Sequence, residues 1–574
     1  MDTEVISYNL DATPGYQFFR VLDRSRDALE RDTGFQLKTA STIVEAQAAY
    51  AYSPTDGRIA QISNPLISNQ TFSYAYSPNS NLLATVTGPI HTVINEWEPT
   101  RDVLDTKTNK LAITVISKYD YAVNAIGQRT GVATSGTAFP ALPSWLWGYD
   151  ALGQVTSADS SIATSDRTYQ YDAIGNRQKS SNSLTLPVAN NYVATATNAY
   201  SSIQLPGAAT ALTPGYDFDG NMTSGPLPVS PTTNSTLLWD GENRLTEVKN
   251  SAGTTLEQNL FDASSRKIAT TANGVTTLYL YDGWNCIAEY QGVSPVLKKN
   301  RLWGLDLSGT LQGAGGVGGM LSESSQITSN PITFNSSYPT YDGNGNVSEY
   351  LDSTGQITAH YEYDPFGNTV VNTDTSNQFA YRFSTKPIGI ATGLYYYGYR
   401  YYNPLTGRWP SRDPLAEESF FLEFTKFLDS DKVIMLRQES LLNVYSFIGN
   451  RQINEIDILG NYSCDTSTGG DFYEVEPSNA SFNLRFDAWS LLQHKTNPAA
   501  NPAAQVGWQP CKDGDTISDF EVTAKPSPGS GGEYLSSAKT LLYLNVETRY
   551  ALIHSGSDAQ AASEAKFCCK CTKK

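Results

Sequence analysis

The sequence predicts a mainly β chain in which short hairpins stack edge to edge into a spiral or shell-like sheet, followed by a small C-terminal α+β or β module. Three observations predict it. The 574 residues include 35 Tyr, 44 Gly and 28 Pro, but only 17% charged residues against a usual ~25%, a balance that suits many short strands punctuated by turns and disfavours helical bundles. A unit of the form aromatic-x-Tyr-Asp-x-x-Gly-Asn/Gln recurs about every 22 residues. Periodicity and cysteine usage then change together in the last 113 residues.

The unit is plainest in YQYDAIGNRQK from Tyr169 and YEYDPFGNTV from Tyr361, with looser copies at Tyr149, Tyr216, Trp239, Phe261, Tyr279 and Tyr341. On a strand, Tyr361 and Tyr363 share one face while Glu362 and Asp364 take the other. Asp bonds its own downstream backbone and Gly accepts positive φ, so the motif closes a hairpin. A single hairpin buries too little to stand alone, so successive units must stack. A row of separate antiparallel β domains is the alternative, and it explains the continuous period less well.

In chain order, residues 1–110 read as divergent β repeats, since YAYSPTDGR at Tyr50 and YAYSPNSN at Tyr74 keep the aromatic doublet. Arg20 to Phe35 fits a poor helix or a strand with a charged hairpin equally well. Residues 111–370 are the regular repeats. Residues 371–461 are richer in aromatics, with a helical-looking insertion at 417–440, and residues 462–574 form a variable module.

Net charge is −17 with no basic stripe, so the repeat region lacks the electrostatic footprint of a nucleic-acid binder. No apolar run of about 18 residues and no basic-then-apolar leader is visible, so neither a membrane span nor a signal peptide is expected.

The stretch GLYYYGYRYYNPLTGRWPSRDP, Gly393 to Pro414, resembles the signature of the Rhs repeat-associated core domain of the YD-repeat, or Rhs, family, and WGLDLSGTLQGAGGVGGML from Trp303 is similar to the segment preceding that core. The resemblance covers roughly residues 110–461. It implies a β shell spiralling around a hollow interior, residues 371–461 as a core domain that plugs it, and a variable C-terminal segment that is often a toxin. It also implies self-cleavage by paired acidic residues. The first motif maps onto Arg412, Asp413 and Pro414, with Ala416 in the Gly position; the second maps onto Asp457, with Ile458 in place of Pro and Asn461 where Leu is usual. The expected cut is near Asn461/Tyr462. Asp413 and Asp457 are 44 residues apart. Two carboxylates sharing a proton could activate water and protonate the leaving amide, with Arg412 orienting them; the other reading makes both Asp turn residues inherited with the fold.

Other motifs carry less. Gly313, Gly315 and Gly318 match a dinucleotide fingerprint but lack its βαβ context, so a close backbone crossing explains them better. DGNGN at Asp342 and DFDGN at Asp217 lack the Gly and Glu of a calcium loop and read as hairpin turns. Cys464, Cys511, Cys568, Cys569 and Cys571 suggest disulfides, with a metal site or free thiols as alternatives. His494 and His554 with Arg485 and Asp487 could form a hydrolase site or be surface residues. No cofactor and no metal are expected.

The leading functional expectation is a structural shell that carries or presents residues 462–574 for delivery or cell contact. A toxin whose tail is an enzyme released by self-cleavage, and an adhesive secreted or cell-surface repeat protein without cargo, are the alternatives. Expected partners are export machinery or an upstream shell partner, and an immunity protein for the C-terminal module. The expected location is extracellular or cell-surface after non-classical export. Residues 111–461 are few for enclosing a cargo fully, which fits an open shell or a truncated remnant.

Overall fold

The structure, a computed structural model, describes residues 2–9, 17–186, 188–292, 294–329, 332–413, 443–457, 459–460, 463–465, 473–475 and 565–567. The chain divides into two units, Met1–Phe420 with Leu428–Gly469, and Phe421–Phe427 with Gly470–Lys574. In the second unit the described residues form one antiparallel pair, Tyr473–Val475 with Ala565–Phe567. The expected insertion at 417–440, the cut at Asn461/Tyr462 and the tail His residues lie outside the described residues, as do all tail cysteines except Cys464.

The first unit is an antiparallel meander. Seventeen strands from Asp2–Asn9 to Tyr200–Gln204 form one sheet, and fourteen from Gly215–Tyr216 to Thr369–Asn372 form a second. Each strand pairs with the next in sequence. Between Gln17 and Asn372, the described residues contain a single 3-10 turn, Ala163–Ser165, and no α-helix. Arg20 to Phe35 resolves as two strands, Gln17–Arg26 and Asp32–Thr39, joined by a charged turn.

The repeat has a specific physical construction. In the turn after Tyr171, Asp172 N–H donates to Asn176 O at 2.9 Å and Gly175 N–H to Asp172 O at 3.1 Å. The Asp172 carboxylate accepts from the N–H groups of Ile174 and Asn176 at 3.0 and 2.8 Å. Gly175 takes φ +80°, a left-handed backbone that other residues rarely adopt. The pairing register shifts just before the aromatic, as between Gln170 and Tyr171 and between Glu362 and Tyr363. The next hairpin's aromatic then bonds the carbonyl of the residue opposite the shift: Tyr171 OH donates to Val155 O at 2.7 Å, Tyr281 OH to Lys267 O at 2.7 Å, Tyr363 OH to Val347 O at 2.9 Å, and the Trp239 indole N–H to Met222 O at 2.8 Å. A buried unpaired carbonyl would cost about 1–3 kcal/mol, which explains why the position wants Tyr or Trp. Phe261 has no such group; Asn259 Nδ2 donates to Leu245 O at 3.2 Å in its place.

The second sheet packs on the first. Arg24 meets Asp282, Glu45 accepts from Tyr290 OH at 2.6 Å, Gln70 donates to Ser336, Ser117 donates to Glu349 at 2.7 Å and Arg167 meets Asp364, contacts separated by between 197 and 266 residues. One apolar core spans both, including Leu22, Leu37 and Phe72 of the first sheet and Leu278, Tyr290 and Tyr350 of the second. Within it Glu349 also accepts from Ser348 at 2.9 Å and faces His360 Nδ1 at 3.0 Å, while His360 Nε2 faces Glu362 at 3.3 Å. Burial alone would lower the His360 pKa, but hydrogen bonds with the two carboxylates raise it to about 9.

Candidate functional site

Residues 373–413 and 443–460 close against the turns of the repeat. Their centre is an aromatic cluster of Phe383, Tyr395, Tyr397, Tyr402, Trp409 and Phe447; Tyr402 stacks on Phe447 with ring centroids 4.0 Å apart. Tyr395–Tyr396 pairs with Tyr401–Tyr402, and Gly398 turns the chain at φ +122°, leaving Arg400 in the bend. The seat is polar. Gln154 accepts from Asn450 at 2.9 Å, Asn176 from Asn443 at 2.9 Å, Asn346 from the Ser384 N–H at 2.7 Å, and Asn368 donates to Pro404 O at 2.9 Å. Each of these four amides is the fifth residue of a repeat turn.

Asp413 and Asp457 meet at Arg400. Arg400 Nη2 lies 2.7 Å from Asp413 Oδ2 and 3.8 Å from Asp457 Oδ2, so the two carboxylate oxygens are within about 6.5 Å of each other, the sum of those distances. The Arg400 side chain is 3% exposed, Asp457 4% and Asp413 21%, so water reaches the pair from the Asp413 side. The Arg400 guanidinium packs 4.1 Å from the Trp409 ring centre, and its Nε donates to Gly460 O. Gly460 N–H donates to Asp457 Oδ1 at 2.5 Å. Burial raises the Asp457 pKa to about 6, a shift that Arg400 opposes and Asp413 reinforces. Lys386, driven down to about 8 by burial, also faces Asp457.

Arg412 is elsewhere: it is exposed, with its aliphatic stem beside Gly220 and the Tyr445 hydroxyl near the same glycine. The guanidinium printed beside Asp413 and Asp457 is that of Arg400. The signal for Arg400 was its place inside GYRYYNP, but nothing in the spacing distinguishes it from neighbouring aromatics as a ligand of two distant Asp residues.

The glycine-rich loop is a close backbone crossing. Asp306 accepts from the Ala314 and Gly316 N–H groups at 2.8 and 3.0 Å, Lys386 donates to Gly315 O at 2.8 Å, and Gly318 N–H donates to Thr385 at 2.8 Å. A Cβ on Gly316 would sit 2.5 Å from Asn285 Oδ1. DGNGN and DFDGN are hairpin turns closed from Asp342 N–H to Asn346 O and from Asp217 N–H to Asn221 O. Cys286 is buried and its thiol is pushed up to about 12 by desolvation. No helix among the described residues is long and apolar enough to cross a membrane.

No family model matches the chain. Over 203 residues it is 29% identical to the tRNA nuclease WapA of Bacillus subtilis (strain 168), a match covering 35% of this chain and 8% of that protein. Over 68 residues it is 47% identical to the toxin subunit YenC1 of Yersinia entomophaga, covering 11% of this chain and 7% of that one. The solved TcdB2-TccC3-Cdc42 complex matches 80% of this chain and 23% of its own with TM-score 0.59 at 18% identity. The Photorhabdus luminescens Tc holotoxin pore matches 81% and 23% with TM-score 0.57 at 16% identity. The chain thus spans less than a tenth of the curated relatives it matches and about a quarter of the solved chains. The many-stranded antiparallel sheet of its described residues is the fold it shares with these Tc toxin chains.

Proposed function

We propose that the chain is an Rhs-type β shell, with residues 371–461 as its repeat-associated core domain, that carries or presents residues 462–574 for delivery or cell contact. The observation that carries this reading is the seat: the repeat turns spend their fifth residue on hydrogen bonds to residues 384–450, so the repeat is built around the segment from which the C-terminal residues continue. The toxin names among the relatives and the shared Tc toxin fold support it. Under this reading the protein works outside the producing cell, with export machinery or an upstream shell chain as partner and an immunity protein guarding the producer. Expression of residues 462–574, and separately of the full chain, in a bacterial host with and without a neighbouring candidate immunity protein tests it. Growth arrest by the segment, relieved by the neighbour, is expected. No arrest, with the full chain binding cells, favours an adhesive protein.

The meeting of Asp413 and Asp457 on one buried arginine favours a second reading, in which the segment is released by self-cleavage near Asn461/Tyr462. Loss of the cut in Asp413→Asn and Asp457→Asn tests it.

A further inference from the structure

We propose that an aromatic cavity between the two sheets, closed by Phe383 and Gln452, binds a nucleobase, a small neutral ring with a hydrogen-bonding edge. The cavity measures about 90 Å³, several times the roughly 10–15 Å³ that one water needs. Its aromatic walls come from three parts of the chain: Tyr119, Trp145 and Trp147 of the first sheet, Tyr361 and Tyr363 of the second, and Phe383 of the segment that closes on the turns. Gln452 lines it from that same segment. The amides on either side of Gln452 are bonded to the first sheet: Asn450 Nδ2 donates to Gln154 Oε1 at 2.9 Å, and Asn454 Oδ1 accepts from the Arg129 N–H at 2.8 Å. Gln452 itself is 3% exposed, yet its Oε1 and Nε2 are both buried with no hydrogen-bond partner among the described residues. Its backbone is held in place, because its carbonyl accepts from Asn344 Nδ2 at 3.0 Å.

The lining selects the ligand class. Its charged side chains are already engaged. Arg129 lies 4.5 Å from the Tyr121 ring centre and donates to the Ile453 and Gly343 carbonyls at 3.1 and 3.3 Å. Asp342 accepts from the Asn344 and Asn346 N–H groups, each at 2.9 Å, Asp364 accepts from Arg167 at 3.1 Å, and Glu362 faces His360. A charged ligand would find its counter-ions occupied, so a neutral one fits better. The Tyr361 and Tyr363 hydroxyls point their bonds at Asp374 and the Val347 carbonyl. The aromatic walls therefore offer flat faces more than hydrogen bonds, which suits a planar ring and holds a cluster of waters poorly. The Gln452 amide presents an acceptor and a donor side by side, the pair with which Gln reads adenine N6 and N7. The adjacent N–H and C=O of uracil meet the same pair in reverse. Pockets that take single bases combine such an edge with aromatic stacking. Trp147, Tyr363, Asn344 and Glu362 are partly exposed, which gives the cavity a route to solvent. With a net charge of −17 and no basic stripe, the ligand is a free base or nucleoside, not a polymer.

Calorimetric titration of the purified full chain with adenine and with uracil tests the site, with toluene as a ring that lacks the edge. Saturable binding of a base at one molecule per chain is expected, with toluene about 10-fold weaker or more, the scale of one bidentate pair. Gln452→Leu keeps the bulk without the amide. It should weaken base binding about 10-fold or more and leave toluene binding unchanged. Without ligand its unfolding midpoint should equal or exceed that of wild type, because an orphaned amide is removed. If that variant fails to fold, Trp147→Ala at the open side carries the test, with a loss of about 10-fold expected from the missing stacking face. Equal base affinity in wild type and variant, toluene binding as tightly as the bases, or no base binding at millimolar concentration overturns the inference. Crystals soaked in adenine that show only ordered water in the cavity overturn it as well.

Discussion

Two sets of repeat turns differ at one position. In 27–31, 240–244 and 262–266 the fifth residue is Arg; in 150–154, 172–176, 217–221, 342–346 and 364–368 it is Gln or Asn. The first four residues do the same work in both, with Asp capping the turn backbone. The Arg turns clip forward along the sheet. Arg244 Nε donates to Asp240 at 2.8 Å, Nη1 to the carbonyl of Asp262 in the next turn at 3.0 Å, and the guanidinium lies 5.4 Å from the Phe261 ring centre. Arg31 and Arg266 repeat this on Tyr52 and Tyr281. In four of the amide turns the fifth residue faces residues 384–450 instead. The contrast teaches that the repeat has two layers of meaning: residues one to four build a hairpin, and residue five chooses its neighbour. A long Arg spans to the next turn with its head near solvent, whereas a short amide can donate and accept inside a dry seat.

The largest expected effect tests the amide set. Asn176, 2% exposed, donates to Asp172 at 2.8 Å and Asn198 at 2.9 Å and accepts from Asn443 and Arg408. Asn176→Leu removes one partner each from the buried Arg408 and from Asn198 and Asn443, so a loss of about 3 kcal/mol in urea unfolding is expected. A loss under about 1 kcal/mol would break the distinction between the two sets.

A slightly smaller effect tests the seam between sheets. His360 has its pKa raised to about 9 in the folded chain, above the ordinary value near 6.5. Its contribution is therefore complete below about pH 6.5 and is lost as pH rises through about 9. Lys107 and Lys386, both pushed down to about 8 by burial, act in the opposite direction there. The stability difference between wild type and His360→Gln should therefore shrink steadily from pH 6 to pH 10. A difference that stays constant would show that the charge of His360 does not bind Glu349 and Glu362.

Next, Tyr171→Phe strands the Val155 carbonyl and should cost about 1–2 kcal/mol. Phe261→Tyr should be near neutral, because Asn259 already serves the equivalent carbonyl, but it should recover part of the loss caused by Asn259→Ala. An additive double mutant would count against the aromatic-to-carbonyl bond as the link between hairpins.

The smallest effect is on the Arg set. Arg244→Ala removes a partly exposed ion pair, one hydrogen bond to the Asp262 carbonyl and one ring contact, together worth about 1 kcal/mol, and should leave the proposed self-cleavage unchanged. An Arg244→Ala loss as large as that of Asn176→Leu would erase the contrast.

The hairpin repeat was legible because its bonds are local. The Asp cap and the Gly at positive φ lie within five residues, and Tyr171 reaches a carbonyl 16 residues back, all inside one period. Asp413 and Asp457 were legible from motif residues, as was a plain structural reason for the glycine-rich loop. Arg20 to Phe35 was not, since charges on every face fit a poor helix or a hairpin alike until pairing with Glu4, Lys38 and Glu45 gave those charges partners.

By itself, then, the sequence determined the unit, its period and the succession of antiparallel strands, since each rests on contacts between a residue and its near neighbours. Only the tertiary structure decided that the second sheet lies on the first, that fifth-position amides seat residues 384–450, and that Arg400, not Arg412, holds Asp413 and Asp457. Those pairings join residues up to 296 apart, and no local spacing specifies them; they follow from how many hairpins separate two points on a sheet that returns on itself.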